Sequence, residues 1–245
     1  MTVIHPHATQ VEPGFVAIPL LDALVYLSEQ IIMYGFKEDT VLNLSADKTH
    51  FGVVLEGSIE LDSRPSWTTW KVTAGEYFSV VGSGRMRSQG RGMMISAFGY
   101  QGANIMGGPI EDEGRLRYID GCTDSILVHP VRKGEPVLNH LHFPAGITQT
   151  MHTHPSLRAG IVYRGNGICV LGEDVKVELE PGMLWVIEPG TLHGFNTLDS
   201  VMDVIAFHPD SDFGATDDDH PMVNRTIVDG QPANSIEEIR TKRRK

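Results

Sequence analysis

Residues 157–171 read "LRAGIVYRGNGICVL". Two short apolar runs, rich in β-branched residues, flank Gly165, Asn166 and Gly167, the pattern of one strand turning tightly into another. The same pattern stands earlier in the chain as "THFGVVLEGSIEL", residues 49–61, and one offset places Gly52 over Gly160 and Gly57 over Gly165. Farther along, "VTAGEYFSVV" (72–81) matches "LEPGMLWVIE" (179–188), with Gly75 over Gly182, and "ISAFGY" (95–100) matches "VIAFHP" (204–209). An internal repeat of this length means two tandem copies of one β-domain.

The remaining runs agree. "EYFSVV", "GMMISAFGY", "DVKVELEPG" and "MLWVIEPG" are strand-length segments between turn signals, as in an all-β sandwich or barrel. "LLDALVYLSEQII" (20–32) reads equally as a helix or a buried strand, and residues 235–242 read as a short terminal helix. The polar, glycine-rich stretch 107–121 marks the boundary between copies. The expected layout is residues 1–115, residues 116–209, and a mostly irregular C-terminal arm with a basic tail over 210–245. Asp217–Asp219 lacks the spacing of an EF-hand loop and reads as a turn or helix cap.

The 245 residues carry a net charge of -11, with basic residues dense only in the tail "RTKRRK". That balance argues against a nucleic-acid partner. No apolar run is long enough to span a membrane and the first residues lack a secretory pattern, so a cytoplasmic protein is expected. Cys122 and Cys169 form neither a disulfide framework nor a CxxC pair and read as small core residues.

The second copy holds the candidate chemistry. In "TQTMHTHPSLRAG" (148–160), His152 and His154 are two apart and share a face if the segment is extended. Gly146 precedes them and Gly165 closes the stretch. "PGMLWVIEPGTLHGFN" (181–196) adds His193 after Glu188, Pro189 and Gly190. These spacings resemble the cupin superfamily, whose motifs are G(x)5HxH(x)3-4E(x)6G and G(x)5PxGxxH(x)3N. The first fits at Gly146, His152, His154 and Gly165, and the second at Gly182, Gly190 and His193. Two departures stand out: Arg158 occupies the glutamate position, and the second motif's Pro and Asn are each displaced by one residue, to Pro189 and Asn196.

The resemblance implies two tandem cupin (jelly-roll, double-stranded β-helix) barrels, a bicupin, with a metal on His152, His154 and His193 of the second. Three neutral imidazoles on one face of an ion leave positions open for a chelating substrate and dioxygen. The resemblance points to Fe2+, with Mn2+, Ni2+ and Zn2+ as alternatives. Arg158 suits a substrate carboxylate if it points inward, or a surface ion pair if it does not. Trp185 is expected against the substrate or in the core. His140 and His142, on one face of the preceding strand, are candidate acid and base together with Tyr163. In the first copy, Leu44 and Ala46 fall under His152 and His154, Met86 falls near His193, and His50 lies under Arg158, so that copy is expected to bind no metal.

Cupins of this ligand type suggest a non-haem iron dioxygenase acting on a small carboxylate-bearing molecule. A metal-dependent lyase, isomerase or decarboxylase of a small acid is the alternative, and a non-catalytic binding or sensing module the third reading. A small-molecule substrate and a homodimer are the expected partners.

Overall fold

The computed structural model describes residues 3–4, 9–12, 14–20, 23–64 and 67–241; the basic tail beyond Thr241 lies outside them. The chain is all-β and folds as two units, each a large antiparallel sheet facing a small one. In the first unit the large sheet has seven strands, in the order Val3–Ile4, Ala23–Leu27, Ile31–Phe36, Arg91–Phe98, Lys48–Glu56, Tyr77–Val81 and Ile105–Gly107. Four strands between Val41 and Ser88 make its partner sheet. In the second unit eight strands run in the order Leu116–Arg117, Thr123–Val128, Val137–Phe143, Met202–His208, Arg158–Gly165, Leu184–Ile187, Phe15–Ile18 and Thr9–Glu12. Val175–Leu179, Gly167–Leu171 and His193–Asn196 face them as a three-stranded sheet.

The repeat is visible in the backbone. Gly57 and Gly165 each stand where the chain leaves a strand of the large sheet and enters the small one, with φ of 71° and 69°, a left-handed conformation that glycine adopts without steric cost. A Cβ at either position would run into a carbonyl, of Gln89 in one copy and Val201 in the other.

The segment 20–32, open between helix and strand on sequence grounds, is strand in its described part, Leu21 and Asp22 lying outside it: Ala23–Leu27 and Ile31–Phe36 form a hairpin around Ser28, whose hydroxyl accepts from the amides of Gln30 and Ile31. The expected helix at 235–242 is instead a pair of 3-10 turns, Ala233–Ser235 and Glu237–Ile239, separated by extended Ile236. The arm's one α-helix, Pro221–Arg225, is capped by His220, whose Nδ1 accepts from two helix amides.

One crossing departs from a division at residue 115. Strands Thr9–Glu12 and Phe15–Ile18 belong to the second unit's sheet, where Phe15–Ile18 pairs with Leu184–Ile187. The two large sheets face each other across a shared core containing Phe51, Val53 and Ile95 from one unit and Ala159, Ile161, Ile205 and Phe207 from the other. Phe51 and Phe207 meet across it at 5.2 Å between ring centroids. Each unit also has its own core between its large and small sheets. The second unit's sheet is therefore apolar on both faces, and one of them opens into the candidate site.

Candidate metal centre

His152 and His193 are fixed by backbone before any metal is considered. The amide of each donates to the carbonyl of the other at 2.9 Å, so the two residues face each other as a cross-strand pair. The carbonyl of His154 accepts from the Gly190 amide, which ties the second histidine to the turn that carries the third. The segment around residues 150–157 is thus irregular, with a single bridge at His152, and not the strand that the HxH spacing suggests.

The side chains then converge. The three rings lie 4.6 to 5.1 Å apart by centroid, and one ligand nitrogen from each falls within 4.8 Å of the others. Nδ1 of His152 is 2.7 Å from the Thr150 carbonyl and Nδ1 of His193 is 2.9 Å from that of Thr191. A carbonyl only accepts, so in both rings Nδ1 carries the proton and Nε2 keeps its lone pair, the arrangement that metal-bound histidines use. Burial, helped by nearby positive charge from Arg158 and the other histidines, depresses the pKa of His154 to about 3. Burial likewise takes His193 down to about 4. Neutral imidazole donors closing on one point fit a divalent ion bonded at ~2.0–2.2 Å.

The cluster opens on a cavity of about 80 Å³, walled by Leu141, Phe143, Trp185, Ile187, Phe195, Val204 and Ala206. Arg158 lines it and also stands beside the half-exposed Asp210, so it combines features of the inward position and of the surface ion pair. Its Nη1 donates to Ser156 Oγ at 2.6 Å and to the Leu157 carbonyl at 3.0 Å, with Asp210 at 3.8 Å. Trp185 also lines the cavity and is almost fully buried.

His140, His142 and Tyr163 are not in this cavity. Side chains alternate along a strand, and in Val137–Phe143 it is Asn139, Leu141 and Phe143 that face inward. His140 and His142 point to the opposite face, where His140 Nε2 (2.7 Å) and His142 Nδ1 (2.9 Å) donate to the buried carboxylate of Asp203. Arg164 Nε completes this network at 2.5 Å and reaches on to Asp112 in the segment joining the units. Burial raises the Asp203 pKa, but the hydrogen bonds from His140, Arg164 and His142 outweigh it and hold the carboxyl below its ordinary range. Tyr163 packs at the edge of the shared core. Polarity is what marks the two histidines in the sequence, and this ion-pair network accounts for it.

Five further polar residues line the cavity beyond those expected from the sequence: Asp124, Asn139, Tyr118, Gln149 and His208. Asn139 Nδ2 donates to Asp124 Oδ2 at 3.0 Å. Burial raises Asp124 to about 6, only partly offset by His140 and by hydrogen bonds from Ser125 and Asn139. His208 is held well below its usual pKa by burial, then by the charges of Arg158 and His154. The sequence signal for Asn139 is its place two residues before Leu141 on an inward-facing alternation.

In the first unit, Leu44 and Met86 are buried in an apolar core. His50 is buried too, with Nδ1 2.7 Å from Ser96 Oγ. Among the described residues the one cluster able to hold a metal is His152, His154 and His193.

Comparison with known proteins agrees with this anatomy. Residues 139–208 match the cupin domain family. The match lies within the second unit, the one that carries His152, His154 and His193. No curated protein sequence matches the chain. Among solved structures, a cupin 2 conserved barrel domain protein from Leptotrichia buccalis superposes with a TM-score of 0.56 at 11% identity, covering 82% of this chain and 91% of that one. Protein Ylba from E. coli gives 0.54 at 14% identity, over 88% and 89%. A mutant of salicylate 1,2-dioxygenase from Pseudoaminobacter salicylatoxidans, in complex with gentisate, gives 0.53 at 12% identity, over 80% and 69%. At such identities the likeness is one of fold.

Proposed function

We propose that this protein is a metal-dependent cupin enzyme, a mononuclear non-haem iron dioxygenase acting on a small carboxylate-bearing molecule. The observation that carries the reading is the donor set, three imidazoles with no carboxylate among the clustered ligands. When bound there, ferrous iron would supply a Lewis-acidic, redox-active centre with open positions. The chain's own residues do the rest. Arg158 offers a guanidinium to an anionic group beside the histidines, and Trp185, Phe195 and Leu141 exclude water from it. The likeness to a salicylate dioxygenase solved with gentisate is in keeping with a small acid as substrate.

The reading also divides labour along the chain. The second unit binds the metal, the first is a degenerate cupin domain that serves packing, and the cytoplasmic protein forms a homodimer. A second reading, a metal-dependent lyase, isomerase or decarboxylase, is favoured by one observation. Asp124 lines the cavity with a pKa near 6, so it can exchange a proton at neutral pH. In that case Asp124 takes the proton-moving role expected of His140, His142 and Tyr163.

Oxygen uptake separates the two. Protein reconstituted anaerobically with Fe2+ and screened against small acids is expected to consume oxygen with at least one of them, and His193→Ala to consume none. Turnover without oxygen uptake would contradict the dioxygenase and support the second reading.

A further inference from the structure

Eight buried side-chain N or O atoms among the described residues have no hydrogen-bond partner, and four of them belong to residues lining the metal cavity. These are Asp124 Oδ1, Asn139 Oδ1, Arg158 Nε and Trp185 Nε1. A buried polar group left unpaired is costly, so such a concentration in one small cavity points to a ligand that satisfies them.

The four atoms sort by kind and by side. Both acceptors, Asp124 and Asn139, stand on the neighbouring strands Thr123–Val128 and Val137–Phe143 and are joined by their own hydrogen bond. Both donors, Arg158 and Trp185, stand on the paired strands Arg158–Gly165 and Leu184–Ile187. The strand Met202–His208 runs between the two groups. Register places Asn139 opposite Ala206, Ala206 opposite Gly160, and Gly160 opposite Trp185. The middle of this row carries almost no side chain, and a Cβ at Gly160 would collide with the Trp185 indole. The row is a shallow floor with the acceptor Asn139 at one end and the donor Trp185 at the other, and Asp124 and Arg158 flank it two residues away, in opposite directions along the strands. Asn139 and Arg158 are two strands apart and two residues out of register, about 12 Å between backbones, and their side chains shorten that gap from both ends.

We propose that the ligand of this cavity is a short carboxylic acid that also bears an N–H or O–H group, an amino acid or a hydroxy acid. Its carboxylate faces Arg158 and Trp185, and its donor faces Asp124 and Asn139. The assignment deepens the metal-site reading and rests on it for the position of the reacting atoms, but the four selecting residues are separate from the three histidines. The protonation range of Asp124 agrees with a role beside an amine or hydroxyl. A site built around donors and acceptors discriminates strongly against an analogue that leaves them unpaired.

The test is equilibrium binding by ligand-detected NMR, on protein as purified and with its metal content measured, using β-alanine, 3-hydroxypropionate and propionate. One or both donor-bearing acids should bind about tenfold or more tightly than propionate. Asn139→Leu should abolish that preference while leaving propionate binding within about twofold, and Arg158→Leu should weaken all three acids together. Asp124→Asn, which keeps the shape and an acceptor, separates the sources: it should weaken β-alanine selectively if the natural donor is an ammonium, and spare 3-hydroxypropionate. Equal binding of the three acids to the wild type would overturn the proposal, as would a preference that survives both the Asn139 and Asp124 substitutions. Discrimination in protein that takes up no metal when supplied with each candidate ion would uphold this ligand class and overturn the metal reading, whereas metal without discrimination would do the reverse.

Discussion

Asp124 shows what a single residue contributes at this site and what it costs. Its folded-state pKa of about 6 lies above the ~3.9 of an unfolded chain. The folded protein therefore holds a proton more firmly than the unfolded one, and this contribution to stability is full below pH ~4 and is lost as pH rises through 6. Asp124→Asn removes the dependence. We expect the variant to be more stable than wild type by about 1–2 kcal/mol at pH 7.5, with the gap closing toward pH 4 in urea titrations; a gap independent of pH would contradict the burial of this carboxyl. The residue was not legible in the sequence. An acidic side chain in a short strand reads as solvent-facing, and only the burial of its neighbour Asn139 and the turn of the sheet bring it inside. The three histidines were legible because their spacing is tied to glycines at fixed turns. His140 and His142 were misplaced because polarity alone does not tell which face of a two-sided sheet a strand residue takes.

Among the elements, the glycine turns between the large and small sheets explain why the repeat survives in so divergent a pair of sequences. Gly165 has φ of 69° and no space for a Cβ beside the Val201 carbonyl, whereas Gly172 has φ of 57° and open space around it. Gly172→Ala should therefore cost only the left-handed backbone term, ~1–2 kcal/mol. Gly165→Ala adds a clash with main chain and should cost clearly more, so comparable denaturation midpoints for the two variants would count against this account. The same constraint made Gly52, Gly57, Gly160 and Gly165 readable as a repeat. Strands, in contrast, were read without their partners: nothing local in Phe15–Ile18 says that it pairs with Leu184–Ile187, far along the chain.

For the whole molecule, the shared core makes the two units one cooperative body. Phe51 and Phe207 are fully buried against each other across the seam. Phe207→Ala should destabilise by about 3–5 kcal/mol. In a variant with Trp67 and Trp70 replaced by Phe, the fluorescence of Trp185 in the second unit should be lost at the same denaturant concentration as the circular dichroism of the whole chain. Two separated transitions would mean that the seam is weaker than its burial implies. This contact was beyond the sequence, because each strand's outward apolar residues look like an ordinary core until the second sheet is in place. The buried Asp203 network, tied by Arg164 to Asp112, borders the same seam. It links the first unit's end to the sheet that borders the histidine cluster without entering the cavity.

The central claim is that His152, His154 and His193 hold a divalent metal. It is tested most directly by elemental mass spectrometry of protein purified without chelator or affinity metal, beside a His152→Ala, His154→Ala double variant of confirmed fold. The account predicts close to one equivalent of a first-row divalent metal in the wild type, iron on the dioxygenase reading, and none in the variant. Equal metal in both proteins, or none in a wild type supplied with each candidate ion, would contradict it.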